Sequence, residues 1–169
     1  MVTHHLESSV PRDDTLALPR AYVDAMIRHA RAFVPQECCG LIAGEGGRAV
    51  KRYELRNVDP SVLRYNADPQ DLLGAMREMW DRGWDLLAIY HSHTHTPAYP
   101  SATDVRLAFY PEAYYVIVSL QEPDLPRARA FRIVDGVITE HDLISPGDRR
   151  QATGDRRQAT DITGHDLIS

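Results

Sequence analysis

A chain of 169 residues is sized for one domain with one core, and its 43% apolar content is ordinary for a globular protein. A formal net charge of -5 gives no support for a nucleic-acid or membrane-surface partner, and no apolar run approaches the ~20 residues that a bilayer span requires. Its two cysteines, Cys38 and Cys39, are adjacent and supply neither a disulfide framework nor a four-cysteine metal site.

Residues 1–17 begin MVTHHLESSVPRDD, polar and mixed in charge, and read as a flexible leader without the apolar centre of a secretory signal; the expected location is the cytoplasm. In LPRAYVDAMIRHARAF, residues Tyr22, Ala25, Met26, Ala30 and Phe33 recur at helical spacing between Pro19 and Pro35. CGLIAG follows as a short buried strand, and GGRAVKRYELRN as a turn and an alternating strand. Residues 58–67 are irregular. Asp68-Pro69 then opens a helix with a capping carboxylate and proline in its first turn. Leu72, Leu73, Met76, Met79 and Trp80 form its expected apolar face, and Gly83 ends it. DLLAIYHSH is a strand ending in histidines, SATDVRLAFY a short helix, and YYVIVSL a strand. ARAFRIVDGVITEHDLI is a hairpin turning at Asp135-Gly136. Alternating helices and strands point to an α/β or α+β sandwich over residues 18–145. Residues 146–169 hold a duplication, with GDRRQAT and HDLIS each recurring, and read as a solvated polar tail.

Chemistry concentrates in HSHTHTPAYPSATD, residues 91–104. Side chains two apart on a strand share a face, so the imidazoles of His91 and His93 can converge on one zinc. A catalytic zinc takes three protein ligands and leaves a fourth place for water; Asp104 is the natural third. Water bound there needs a proton acceptor, for which Glu37 in PQECCG is the candidate. Ser101 could donate to the oxyanion formed as water attacks a carbonyl. Singly, each residue has a plainer reading: a helix cap for Ser101, a surface or core pair for the histidines, a solvated loop residue for Glu37. His95 extends the alternation and reads as a solvent-facing residue, or as one that supports the ligands or touches substrate. The remaining histidines, His29 and His141 among them, are assigned to the surface, and the cysteines are expected to be core residues rather than nucleophiles.

Taken together, a glutamate before an upstream strand, His-x-His, seven residues, Ser, two residues and Asp resemble the signature of the JAMM/MPN+ family, over about residues 18–142. The resemblance implies a curved mixed sheet flanked by helices, of the cytidine-deaminase-like kind. It also implies one zinc ion per chain and hydrolysis of amide or isopeptide bonds. His91, His93 and Asp104 would be the ligands, Glu37 the general acid/base and Ser101 the oxyanion donor. YHSHT, AYPSATDVRLA, YYVIVS and FRIVDGVITE narrow the likeness to the actinobacterial Mec-type branch. That branch implies release of cysteine from the C-terminal Gly-Gly of a ubiquitin-like sulfur carrier protein, in cysteine biosynthesis. Two rival readings are an isopeptidase that removes ubiquitin-like modifiers from protein lysines and a non-enzymatic MPN scaffold. A homodimer is left open.

Overall fold

The structure, a computed structural model, describes residues 15–146. The readings of residues 1–14 as leader and of the duplication from residue 147 onward lie outside the described residues. In chain order the elements are β1 (Thr15–Ala17), α1 (Arg20–Phe33), β2 (Cys39–Glu45), β3 (Arg48–Leu55), α2 (Pro69–Arg82), β4 (Asp85–His93), α3 (Ala102–Arg106), β5 (Tyr114–Ser119), β6 (Arg127–Val134) and β7 (Val137–Ile144). The strands form one mixed sheet in the order β1-β7-β6-β5-β4-β2-β3. β4 pairs parallel to β5 and antiparallel to β2.

Local chemistry explains most of these elements. Gly46 and Gly47, at φ 56° and 77°, turn β2 into β3, and Asp135 and Gly136, at φ 50° and 79°, make the tight turn from β6 to β7. The Asp68 carboxylate accepts from the N–H groups of Gln70 and Asp71 at the start of α2. Gly83 closes that helix in the left-handed conformation, at φ 67°.

Three expectations are corrected. Thr15–Ala17, read as leader, is a strand in parallel register with Asp142–Ile144. Leu16 and Leu18 are buried around it, so the ordered domain extends to Thr15; three residues are too few to show a period. On α2 the inward row is Leu72, Ala75, Met76 and Met79, whereas Leu73 and Trp80 are 60% and 85% exposed. A single helix face cannot turn both rows inward. His29, read as surface, is buried, and its Nδ1 lies 2.9 Å from the Tyr90 hydroxyl. That hydroxyl also accepts from Arg52 Nη1 at 2.9 Å.

The sheet separates two cores. On one side Met26 and Ala30 of α1 pack against Ile42, Ala88, Tyr90, Val116 and Val118; on the other Ala75 and Met79 of α2 pack against Leu41, Ala43, Ile89 and Tyr115. Strand alternation along β4 therefore turns Tyr90 and Ser92 toward α1, and His91 and His93 toward the side carrying α2. Among the described residues no helix is long and apolar enough to cross a membrane.

Candidate metal centre

β4 ends with both histidines buried, and the chain returns through the 94–101 loop to α3. Ser101 caps that helix: its hydroxyl accepts from the Asp104 N–H at 3.1 Å, and its own N–H donates to Asp104 Oδ2 at 2.7 Å. The reciprocal pair of bonds that starts the helix also fixes the Asp104 carboxylate. It lies beside the imidazoles, with Oδ1 3.3 Å from His91 Nε2 and Oδ2 3.3 Å from His93 Nε2. The two Nε2 atoms are 3.1 Å apart. Among the described residues, His91, His93 and Asp104 form a cluster of three groups able to ligate a metal.

The donor set fits a cation. His93 Nδ1 lies 2.9 Å from the Pro97 carbonyl oxygen. A carbonyl only accepts, so Nδ1 carries the proton and the Nε2 lone pair faces His91 and Asp104. On His91, Nδ1 is buried with no partner, so hydrogen bonding within the protein does not satisfy both imidazoles. Ligand atoms held at about 2.0–2.1 Å in a tetrahedron stand about 3.3 Å from one another, which matches the observed spacings. Burial lowers the pKa of His91. Burial also opposes the charge on His93, but hydrogen bonding to Asp104 and Pro97 outweighs it and the net shift is upward. Asp104 is held far below the usual carboxylate range: burial works against ionisation, and the two imidazoles overcome it.

Glu37 is buried, not the solvated residue its sequence context alone would give. Burial pushes its carboxyl up to about 7; the Asp104 and Asp59 charges add to the shift, and His93 partly offsets it. Its backbone carbonyl accepts from Asn57 Nδ2 at 2.9 Å, and the next N–H, on Cys38, donates to Ser92 Oγ at 2.8 Å. The 58–66 loop closes over the same face. Its Tyr65 stacks on His91, and a small cleft beside them is lined by Arg64, Tyr65, Thr103, Asp104 and Tyr115.

His91, His93 and Asp104 thus meet from β4 and α3, Glu37 is near enough to feel the charges of His93 and Asp104, and Ser101 stands at the exposed rim. His95 is exposed and outside the ligand cluster, with Nδ1 2.8 Å from Thr94 Oγ1. Burial raises the Cys38 and Cys39 thiols to about 11 and about 12, which leaves them protonated at neutral pH. Tyr65 and Asn57 were not found from the sequence. Tyr65 carries no spacing signal, but Asn57-x-Asp59 is a pattern in which a side chain bonds its own backbone two residues on.

A sequence profile of the family described as prokaryotic homologs of the JAB domain matches residues 19–134. The chain belongs to this family. The JAB-domain chain is 44% identical over 123 residues to a protein of Mycobacterium tuberculosis (strain H37Rv) named CysO-cysteine peptidase, covering 72% of this chain and 84% of that one. It is 41% identical over 103 residues to a Thermus thermophilus protein named probable TtuB-protein conjugate cleaving protease, covering 60% and 68%. Among solved structures, the JAB-domain chain resembles protein DSY2949 from Desulfitobacterium hafniense, with a TM-score of 0.68 and 38% identity over 76% of this chain and 91% of that one.

Proposed function

We propose that this JAB-domain chain is a zinc-dependent peptidase that cleaves the amide bond after the C-terminal Gly-Gly of a ubiquitin-like sulfur carrier and releases cysteine. The observation that carries this reading is the triangle of His91, His93 and Asp104 beside a buried glutamate whose pKa is about 7. The 44% identity to a CysO-cysteine peptidase supports the substrate. His91 and His93 through Nε2, and Asp104 through one carboxylate oxygen, would hold one zinc ion. Bound there, zinc would acidify a water molecule and polarise the scissile carbonyl.

Glu37 accepts the proton of the attacking water, for which a carboxyl near neutrality is suited at physiological pH. The water oxygen bonds to the carbonyl carbon, and the developing oxyanion takes a hydrogen bond from the Ser101 hydroxyl. That hydroxyl already accepts from the Asp104 N–H, and its single proton serves as the donor. As the C–N bond breaks, Glu37 returns the proton to the leaving nitrogen. The products are the carrier with a free C-terminal carboxylate and the amino acid. His95 has no part in holding the metal. This reading places the reaction in cysteine synthesis, in the cytoplasm.

A second reading, cleavage of carrier–lysine isopeptides, is favoured by the Thermus relative, whose name specifies a protein conjugate. The two separate in one assay. Carrier–cysteine and carrier–lysine conjugates are offered to the metal-loaded chain, and products are followed by mass spectrometry. Faster release of cysteine is expected; cleavage of the lysine conjugate alone would overturn the first reading. In Glu37→Gln, zinc should remain bound by metal analysis while turnover falls by orders of magnitude.

A further inference from the structure

The peptide unit between Glu37 and Cys38 is anchored at both edges by side chains. Its carbonyl accepts from Asn57 Nδ2 at 2.9 Å, and its N–H donates to Ser92 Oγ at 2.8 Å. A peptide is planar, with soft rotation only on either side. Fixing both edges therefore sets the plane, and with it the position of the Glu37 Cα from which the side chain leaves the backbone.

The two anchors lead back to the metal ligands by separate routes. Ser92 stands between His91 and His93 on β4, and its own N–H donates to the Cys38 carbonyl at 3.1 Å. Asn57 roots the loop that covers the cluster. Its Oδ1 accepts from the N–H groups of Asp59 and Asn66, both at 2.9 Å, and its backbone bridges to Ala67. That loop brings Tyr65 onto the His91 ring. One amide side chain thus touches the general acid/base segment and both limbs of the loop.

We propose that Asn57 and Ser92 are positioning residues. By clamping the two edges of the Glu37–Cys38 peptide, they hold the Glu37 carboxylate at working distance from the His91–His93–Asp104 cluster. The inference rests on Glu37 being the proton carrier of the proposed function. Displacing a reacting group by about 1 Å costs on the order of 100-fold in rate, so a clamp of this kind acts on kcat rather than on substrate affinity.

Asn57→Asp keeps an oxygen for the Asp59 and Asn66 amides but sets a second oxygen against the Glu37 carbonyl; Ser92→Ala frees the other edge. Each full-length variant is assayed on whichever carrier conjugate the wild type cleaves, cysteine or lysine. Zinc affinity and Tm are measured on the same samples. In both variants kcat is expected to fall about tenfold or more while KM and zinc affinity stay near wild type and Tm drops only by the few degrees that one unpaired buried group costs. The double variant should lose no more than the weaker single variant, because both edges belong to one plane. Unchanged kcat in either variant, independent losses that multiply in the double, or a joint fall of kcat, zinc affinity and Tm would overturn the clamp. Glu37→Gln runs alongside. Full turnover there removes the proton carrier and the clamp together, whereas lost turnover there with full turnover in Asn57→Asp removes the clamp alone. A wild type that cleaves neither conjugate ends both this inference and the function beneath it.

Discussion

Tyr65 lies nearly flat on His91, with ring centroids 4.7 Å apart and 29° between the planes. With no hydrogen-bond partner at Nδ1, the His91 ring is oriented by packing. Groups that orient metal ligands typically contribute 10–100-fold in affinity. Tyr65→Ala should therefore lower zinc affinity by roughly that factor, whereas Tyr65→Phe keeps the ring and should stay close to wild type. Competition against a chromophoric chelator measures both.

Burial of Glu37 should cost stability in the metal-free chain. Its carboxyl is raised from 4.5 to about 7, chiefly by burial. Between those values the folded chain holds a proton that the unfolded chain has released, so stability falls as pH rises through that window. The loss is on the order of 3 kcal/mol at most. Metal-free Glu37→Gln, neutral at every pH, should match the metal-free parent near pH 4 and exceed it at pH 8. Urea midpoints at the two pH values test this, and equal differences at both would refute it.

Ser101 caps α3 and, on the proposed mechanism, also donates to the oxyanion. Ser101→Ala should lose about 1 kcal/mol of stability with the helix cap and roughly 100- to 1,000-fold in kcat with the oxyanion donor. Ser101→Thr retains a hydroxyl and should restore most of both. Thermal melting and steady-state kinetics separate the two losses.

Zinc should stabilise the folded chain in a pH-dependent way, since its ligands must be deprotonated to bind. Added zinc is expected to raise Tm more at pH 8 than at pH 5. Asp104→Ala, which removes one of the three clustered groups and the acceptor of the Ser101 N–H, should show no zinc-dependent rise.

Gly40 permits the close approach of β2 to Tyr90. A Cβ at this position would overlap the Tyr90 ring and the Tyr53 carbonyl oxygen. Backbone and a fully buried ring cannot both yield, so Gly40→Ala should destabilise the chain by about 3 kcal/mol or more. Chemical denaturation measures it directly.

The parts of the fold that were legible depend on neighbours in sequence. Asp68-Pro69 and Gly83 bound α2, and Asp135-Gly136 turns β6 into β7, because caps and tight turns are decided within four residues. His91 and His93 were legible as a pair because strand alternation is equally local. The misses arise from distance along the chain. The bond from Asn57 to the Glu37 carbonyl spans 20 residues, and that from Cys38 to Ser92 spans 54. β1 exists only because β7 offers it an edge. His29 is a miss that had a signal: it follows Met26 by three positions and precedes Phe33 by four, which places it on the buried row of α1.

β4 carries His91 and His93 on one side and Tyr90 and Ser92 on the other, locked by pairing with β2 and β5. A slip of one residue in either pairing would exchange the two sets wholesale. Imidazoles would be driven into the compartment of α1, and a phenol and a hydroxyl would stand beside Asp104 in their place. On the proposed reading, chains whose middle strand has slipped in register should bind no zinc.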